Sequence, residues 1–189
     1  MIFSLFMIKY ENKQRKIQGV FMKRKFFILI TFTIFSFYLL ADMENLKLGI
    51  KNLNEKKYEE SENYLLKALN EDENKNAYFY LGLLYNNEKK YDLSEEYYKK
   101  AIDAGSKNAL NNLAMIYMDQ KKYDLAEECY KMAVVKNVKG SVYNLGNLYY
   151  IQEKYDLAKK YYTIAAQEGD ADAWEMLRII DLDIQKVYY

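Results

Sequence analysis

Apolar residues recur every three or four positions from residue 44 onward, which is the spacing of amphipathic helices. In one kind of segment a leucine is followed by a tyrosine four residues later, as at Leu81 and Tyr85. In the other kind a tyrosine lies between two alanines, as at Ala126, Tyr130 and Ala133. Because the two kinds alternate, the pattern predicts helical hairpins made of two helices of about a dozen residues each.

The hairpin pattern occurs four times along the chain. Three second segments read KYDLSEEYYKKA, KYDLAEECYKMA and KYDLAKKYYTIA, and a less regular copy, KYEESENYLLKA, precedes them. Their anchor tyrosines Tyr58, Tyr91, Tyr123 and Tyr155 are separated by 33, 32 and 32 residues. A fixed period of this length is typical of stacked repeat arrays. The sequence therefore predicts an all-α solenoid of four helical hairpins.

Small residues recur where the two helices of a hairpin have to approach each other. They are Gly49, Gly82, Ala114 and Gly146 in the first helices and Ser61, Ser94, Ala126, Ala158, Ala68, Ala101, Ala133 and Ala165 in the second helices. Only small side chains let two helix axes come as close as about 8 Å. Gly105 and Gly169 follow second helices, and we expect them to adopt the left-handed C-terminal cap, with Asn70 and Asn137 in the same role.

The order of these residues resembles the tetratricopeptide repeat. One copy carries Leu145, Gly146, Tyr149, Tyr155, Ala158, Tyr162 and Ala165. The junction AAQEGDADAW at residues 165–174 is also similar to a Sel1-like repeat. The resemblance covers residues 42–189 and implies a right-handed α-solenoid with repeats at about residues 42–74, 75–106, 107–138 and 139–170. The sequence departs from the family pattern in two ways. Its period is shorter than the usual 34 residues, and it lacks the proline that often ends the family's second helix.

A fifth, incomplete copy follows the last hairpin. The pattern restarts with Ala171, Trp174 and Leu177, but Arg178 occupies the position of the small residue. A large charged side chain is tolerated there only if no helix packs tightly on it. Residues 171–189 are therefore predicted to form a solvated capping helix, which a solenoid needs at its open end.

The N-terminal part carries the pattern of a secretory signal. Residues 26–41 form an uncharged, mostly apolar run that follows three basic residues at 23–25 and ends at Ala41. The run is shorter than the roughly 20 residues that comfortably span a bilayer. Two interpretations stay open, a signal peptide cleaved after Ala41 and an uncleaved membrane anchor. Residues 1–21 fit neither, so Met22 is a second candidate for the start. Either way we predict an exported protein of the bacterial periplasm or cell envelope.

Composition and charge limit the chemistry. The chain has 28 basic and 27 acidic residues, of which residues 42–189 hold 21 and 26. This acidic excess makes nucleic acid a poor partner, because displacing counterions from phosphates requires a basic face. With no histidine and one cysteine, metal sites and histidine-based catalysis are largely excluded, and no cofactor is predicted. Cys129 replaces a tyrosine of a repeated column, and we expect an inert, partly buried thiol.

The resemblance implies a concave groove lined mainly by first helices. Carried onto this sequence, the groove-facing positions are Asn76, Phe79, Tyr80, Leu83, Asn86, Asn108, Asn111, Asn112, Met115, Met118, Tyr143, Asn144, Asn147 and Tyr150. Asparagine amides donate and accept hydrogen bonds, which suits a peptide backbone, while tyrosine and methionine offer adaptable apolar contact. The alternative is that an AT-rich genome, whose codons favour asparagine and tyrosine, placed them on an ordinary wet surface.

We therefore predict a protein without catalytic activity that binds a segment of a partner protein in this groove. The candidate binding residues are Phe79, Tyr80, Asn108, Asn111, Asn112, Met115, Tyr143, Asn144, Asn147 and Tyr150. The alternative function is a membrane-anchored structural subunit or assembly factor of an envelope complex. Acidic pairs recur at the same helical place in consecutive second helices and predict a solvated face with modest ion pairs to nearby lysines; they are Glu59 and Glu60, Glu95 and Glu96, and Glu127 and Glu128.

Overall fold

The computed structural model describes residue 25 and residues 27–32, 44–71 and 73–188, with side chains described through residue 182. The chain divides into two compact units, residues 1–44 and residues 45–189. In the first unit residues 27–32 are helical and exposed. Apart from these residues, the predicted signal or anchor, its end at Ala41 and residues 1–21 lie outside the part that the structure describes. No helix in the described ranges is both long enough and apolar enough to cross a lipid bilayer.

Nine helices follow one another in the part of the chain described between residues 44 and 188, and that part contains no strand. They are α1 (residues 44–54), α2 (Tyr58–Asn70), α3 (Ala77–Asn87), α4 (Tyr91–Asp103), α5 (Ala109–Asp119), α6 (Tyr123–Val135), α7 (Ser141–Ile151), α8 (Tyr155–Gln167) and α9 (Ala171–Tyr188). First helices α3, α5 and α7 have 11 residues and second helices 13. The predicted all-α solenoid of helical hairpins is confirmed.

The hairpins stack so that each helix contacts its neighbours in the chain. Helices α3 and α4, α5 and α6, and α7 and α8 pack as hairpins, and each second helix packs on the first helix that follows it. First helices of adjacent hairpins also contact each other, α3 with α5 and α5 with α7, whereas no comparable contact joins successive second helices in the described part. Because the first helices lie closer together, the stack of hairpins is narrower on their side.

The hydrophobic core is built from the large and small residues that recur in each hairpin. Leu81, Leu113 and Leu145 are buried in consecutive first helices. The small residues of the second helices are buried too; they are Ser61, Ala68, Ser94, Ala101, Ala126, Ala133, Ala158 and Ala165. This burial removes apolar surface from water at every interface of the stack, which is the main favourable term in folding.

The turns inside the hairpins use left-handed residues that the sequence analysis did not predict. Lys56, Lys89, Lys121 and Glu153 have φ between 57° and 60°. In the second hairpin the N–H of Lys90 donates to the carbonyl oxygen of Tyr85 at 2.8 Å, which closes the end of the first helix as a Schellman motif does. Each first helix therefore ends on a residue in a backbone conformation that normally favours glycine.

The turns between hairpins agree with the sequence at three of the four expected caps. Gly105, Gly169 and Asn137 have φ of 96°, 94° and 52°. The expectation for Asn70 is wrong, because α2 continues through Asn70 and Glu73 takes the left-handed conformation, with φ of 50°. The connection from α2 to α3 is one residue longer than the next two, which is why the left-handed residue lies further along the chain.

Helix α9 packs on α8 as the first helix of a fifth hairpin would. Ala173 and Ile180 are buried against α8 and the core, while Trp174 is 61 % exposed. Arg178 is exposed as predicted and its guanidinium pairs with the Glu175 carboxylate at 2.6 Å. The face with Arg178 is the one on which a second helix packs in the preceding hairpins.

Candidate functional site

The two helices of a hairpin approach so closely that a side chain on the small residue would collide with the opposite helix. A Cβ atom on Gly82 would lie 2.6 Å from Cδ1 of Tyr98, and one on Gly146 would lie 2.8 Å from Cδ1 of Tyr162. In the second hairpin Ser94 Oγ also donates a hydrogen bond to the Gly82 carbonyl oxygen at 2.7 Å. These contacts fix the first helices on the second helices and hence position the surface that the first helices present.

Buried tyrosines of the second helices reach between the first helices and contact their polar side chains. Asn112 Nδ2 donates to the Tyr98 hydroxyl at 3.1 Å, and the Tyr162 hydroxyl donates to Asn147 Oδ1 at 2.6 Å. Burial raises the pKa of Tyr98 to about 12. These hydrogen bonds hold the candidate asparagines Asn112 and Asn147 on the buried tyrosines.

The candidate binding residues lie on α3, α5 and α7 or immediately before them, and we call this surface the first-helix face. Asn108 and Met115 are exposed. The other candidates are half-buried, namely Phe79, Tyr80, Asn111, Asn112, Tyr143, Asn144, Asn147 and Tyr150. None of them is charged, so their side chains offer hydrogen-bonding amides and aromatic rings.

The structure brings three of the candidates together in one recess near the start of α3. Phe79, Tyr80 and Asn108 line a cavity of about 250 Å³ together with Ser106 and Asn76. The Phe79 ring packs on Tyr80 and also on the buried ring of Tyr98 in the same hairpin, with centroids 5.3 and 5.9 Å apart. We call this cavity the α3 recess.

A second recess lies two hairpins further along. Tyr143 lines a cavity of about 410 Å³ with Gly140, Asp170 and residues of the adjoining turns. The Tyr143 ring packs on the buried Tyr162 ring with a centroid distance of 5.6 Å. We call this cavity the α7 recess; Asn144, Asn147 and Tyr150 line neither recess.

Asn111 occupies the corresponding place in the hairpin between the two recesses. Its Nδ2 donates to the Lys139 carbonyl oxygen at 3.3 Å. Its Oδ1 is buried and has no hydrogen-bond partner among the described residues. The middle hairpin therefore presents an amide where its neighbours present aromatic rings.

A column of hydrogen bonds between hairpins was missed by the sequence analysis. Hydroxyls of first-helix tyrosines donate to carboxylates of the preceding second helix: Tyr85 to Glu62 at 2.6 Å, Tyr117 to Glu95 at 3.0 Å and Tyr149 to Glu127 at 2.8 Å. At the last junction the same two positions hold Lys159 and Asp181, which pair at 2.7 Å. The two partners are always 22 or 23 residues apart, and this spacing could have predicted the column from the sequence.

The predicted solvated acidic face is thus partly a packing interface. Glu62 aligns with Glu95 and Glu127, so the alignment of Glu59 and Glu60 with the later acidic pairs is wrong by about one helical turn. Ion pairs four residues apart do occur, as between Glu127 and Lys131 at 2.6 Å. The Lys131 ammonium holds the pKa of Glu127 below its ordinary value against the opposing effect of burial, and the hydrogen bond from Tyr149 helps.

The single cysteine lies in this network without taking part in it. Tyr97 and Tyr161 stack on Tyr85 and Tyr149, with centroids 5.3 and 5.4 Å apart, and Cys129 occupies the equivalent place in the third hairpin. Burial raises the pKa of the Cys129 thiol to about 11, so the nucleophilic thiolate is scarce near neutral pH. No cluster of three metal-ligating side chains occurs within the described ranges.

Solved structures of other proteins share this arrangement of helices. A structure from the functional characterization of Pseudomonas aeruginosa pilF is 21 % identical over 79 % of this chain and 71 % of its own, with a TM-score of 0.69. A tetratricopeptide repeat protein from Parabacteroides merdae is 16 % identical over 79 % and 62 %, with a TM-score of 0.67. The MamA protein is 20 % identical over 74 % and 80 %, with a TM-score of 0.61. At these identities the similarity shows the fold alone.

Sequence comparison with known families assigns the repeats. No curated protein matches the chain. Three models of the tetratricopeptide repeat match residues 46–109, 108–137 and 140–167, which together are well over half of the chain. The resemblance to Sel1-like repeats stays a prediction. With its stacked hairpins and these three matches, the chain belongs to the tetratricopeptide repeat family.

Proposed function

We propose that this chain is a protein of the bacterial cell envelope that binds a segment of a partner protein on its first-helix face and carries out no chemistry. Its tetratricopeptide repeats are protein-interaction modules in general, which supports a protein as the partner. The observation that carries the more specific proposal is the uncharged first-helix face, on the narrower side of the stack.

The chemistry of this face favours an uncharged polypeptide. Burying an ionised group without a partner charge is costly, so a face that has no charges of its own selects a segment without charges. Asn144 and Asn147 on α7 and Asn112 on α5 provide amides for backbone N–H and C=O groups. Met115 is exposed and supplies an adaptable apolar contact.

The absence of catalysis is proposed on chemical grounds. The chain contains no histidine, which is the side chain most used for proton transfer near neutral pH. Its one thiol, at Cys129, is held protonated by burial. Turnover of a substrate by the purified protein would contradict the proposal.

The binding surface is tested by removing the three asparagine amides. A variant with Asn112→Ala, Asn144→Ala and Asn147→Ala should capture less of its partners from an envelope extract, as measured by mass spectrometry of bound proteins. A matched control replaces Leu93, Leu125 and Leu157 with alanine; these leucines are about 40 % exposed at equivalent places on second helices. Helical content by circular dichroism checks that both variants fold. Unchanged capture by the asparagine variant would rule this face out.

The envelope location is proposed from residues 26–41 and is tested separately. Intact-mass measurement of the protein recovered from bacterial cells should show the loss of residues 1–41 and recovery in the periplasmic fraction if the signal is cleaved. Retention of the apolar run with membrane pelleting would indicate the anchored form. Recovery of an uncleaved protein in the cytosol would contradict export.

A second candidate function is a structural subunit or assembly factor, and helix α9 favours it. Trp174 and Leu182 are 61 % and 51 % exposed on this helix. Such a pair of large apolar side chains suits permanent packing in an assembly. Sedimentation of the full chain distinguishes the two functions: a recruiting module should be monomeric, whereas a structural subunit should self-associate and should lose association in a Trp174→Ser and Leu182→Ser variant.

A further inference from the structure

We propose that the first-helix face recognises an extended, uncharged segment through two bulky apolar side chains about five or six residues apart, one in the α3 recess and one in the α7 recess. This inference rests on the proposed function and adds to it the spacing and chemistry of the bound segment. Its basis is the recurrence of one local arrangement in two hairpins and its replacement in the hairpin between them.

The two recesses have three equivalent positions of the repeat in common. Phe79 and Tyr143 are 64 residues apart, which is two periods of 32. Each ring leans on the buried tyrosine of its own hairpin, Tyr98 or Tyr162, at a centroid distance of 5.9 or 5.6 Å. Each recess is completed by the residue before the helix and by a residue of the turn that follows the hairpin. The two recesses therefore share an aromatic wall and these two edge positions, while the α7 recess is larger and is lined in addition by the turn before α7.

The middle hairpin has an amide in place of the aromatic ring. Asn111 stands where Phe79 and Tyr143 stand, and its amide bridges to the Lys139 carbonyl oxygen at 3.3 Å. Val138, at the corresponding turn position, is buried. A bound segment thus finds an aromatic wall at each of its two ends and none in the hairpin between them.

The spacing of the anchors follows from the packing of the helices. Helices α3 and α5 are in contact, as are α5 and α7. Packed helices lie about 8–10 Å apart, so the two recesses are separated by roughly 16–20 Å. An extended chain advances about 3.3 Å per residue, which makes this distance about five or six residues. A helical segment would need roughly 11–13 residues for the same distance.

The size of both recesses fits single apolar side chains. Their volumes of about 250 and 410 Å³ lie below or near the lower end of the roughly 300–1,000 Å³ of pockets for drug-sized ligands. The described lining of the α3 recess is uncharged, with Leu46, Phe79 and Tyr80 as its apolar part. In the α7 recess the exposed Lys139 and Glu168 have opposite signs, and Asp170 Oδ1 already accepts hydrogen bonds from the first N–H groups of α9.

A series of neutral peptides tests the proposal on the full chain. Fluorescent 16-residue peptides of serine, glycine and asparagine would carry two leucines placed two to thirteen residues apart, with one-leucine peptides as references. Burial of one more leucine predicts an affinity about tenfold higher than that of the one-leucine peptides, with an optimum at five or six residues. Fluorescence anisotropy measures the affinities. An affinity that is independent of spacing, or never exceeds that of one leucine, would overturn the proposal.

Variants that fill the recesses from exposed positions avoid disturbing the core. Asn76→Trp fills the α3 recess and Glu168→Trp fills the α7 recess, and both residues are exposed. Either change should reduce binding of the optimal peptide to the one-leucine level, whereas the control Leu125→Ala should not. Full retention of spacing-dependent binding in both filled variants would place the anchors elsewhere.

The same experiment separates this inference from the proposed function. Peptides that bind without a spacing optimum, and lose binding in the Asn112, Asn144 and Asn147 variant, would overturn the two-anchor mode and leave the proposed function standing. An optimum near twelve residues would indicate a helical segment and would overturn the extended conformation. Binding that no change on the first-helix face weakens would count against both.

Discussion

At the scale of single residues, the turns inside the hairpins place residues with side chains in a backbone conformation that favours glycine. Lys56, Lys89, Lys121 and Glu153 adopt left-handed φ angles although each carries a Cβ atom. For L-residues other than glycine this conformation is unfavourable by roughly 1 kcal/mol. The hydrogen bond that closes each first helix holds the residue there.

Replacing one of these residues by glycine should stabilise the protein. Lys121→Gly should raise the free energy of unfolding by about 0.5–1 kcal/mol, because the left-handed penalty exceeds the additional backbone freedom of glycine in the unfolded chain. Urea unfolding followed by circular dichroism measures the change. Gly105→Ala is the converse control: nothing lies within 4 Å of its added Cβ, so its expected destabilisation comes from the backbone alone. A destabilised Lys121→Gly would contradict this account.

The Glu127 carboxylate should contribute stability that disappears in acid. Lys131 and Tyr149 hold its folded pKa below the ordinary value of about 4.5. A lowered folded pKa stabilises the folded state above the unfolded pKa, and the contribution is lost as the pH falls through the folded pKa. Glu127→Gln should therefore be less stable than the parent at pH 7, with the difference shrinking below about pH 4.5. Denaturant unfolding at pH 7 and pH 3 measures it, and Glu128→Gln on the exposed side serves as control; equal differences at both pH values would refute the linkage.

At the scale of the helices, the distance between the two helices of a hairpin is set by one small residue. Gly82 and Gly146 face tyrosine rings at distances that leave no room for a methyl group, yet Ala114 occupies the same place in the third hairpin. Tyr130 takes the place of Tyr98 and Tyr162 in the second helix of that hairpin and is equally buried. The third hairpin therefore accommodates a methyl group that its neighbours lack.

This difference predicts losses of unequal size for the two reciprocal substitutions. Gly146→Ala should lower the free energy of unfolding by about 1–3 kcal/mol, because the added Cβ would lie 2.8 Å from the Tyr162 ring. Ala114→Gly relieves no collision and should lower it by at most about 1 kcal/mol through backbone entropy and a lost contact. Thermal and urea unfolding of the two variants measure both values. A Gly146→Ala variant as stable as the parent would show that the helices separate without loss.

The helices were predictable from the sequence because their signals are strong and repeat in register. Leu145, Gly146 and Tyr149 recur with one period, and each is buried where a hairpin needs it. The turn residues were not predictable, because Lys121 has no intrinsic preference for a left-handed angle and adopts it only to close a helix. The recess at Phe79 was not predictable either, since it depends on the side chains of neighbouring elements that meet there.

At the scale of the whole molecule, the free energy of unfolding is approximately a sum of contributions from the single hairpins and from the interfaces between neighbouring hairpins. Contacts in the described part join helices that are adjacent in the chain, together with α3 to α5 and α5 to α7. A change at one end should therefore loosen that end first. The C-terminal end depends on α9, where Ile180 is fully buried.

A cavity-forming substitution at Ile180 tests whether the stability of each hairpin depends on its neighbours. Ile180→Ala should lower the free energy of unfolding by about 2–5 kcal/mol, as in other buried isoleucine truncations. Hydrogen exchange should accelerate first in α8 and α9 and last in α3 and α4. Leu182→Ala on the same helix is the matched control, because this side chain is half exposed and its loss should cost about 0.5 kcal/mol or less. Uniform acceleration along the chain would instead indicate one cooperative unit.

The hydrogen-bond column between hairpins also determines where the array can grow. A duplicated copy of residues 107–138 brings its own Tyr117 and Glu127, so the new junction would again join a tyrosine hydroxyl to a carboxylate. A duplicated copy of residues 139–170 would place a tyrosine opposite Lys159, whose partner is the Asp181 carboxylate. Internal duplication is thus compatible with a hairpin in the middle of the array and not with the last hairpin. One pair of side chains at each junction therefore determines which hairpin can follow which.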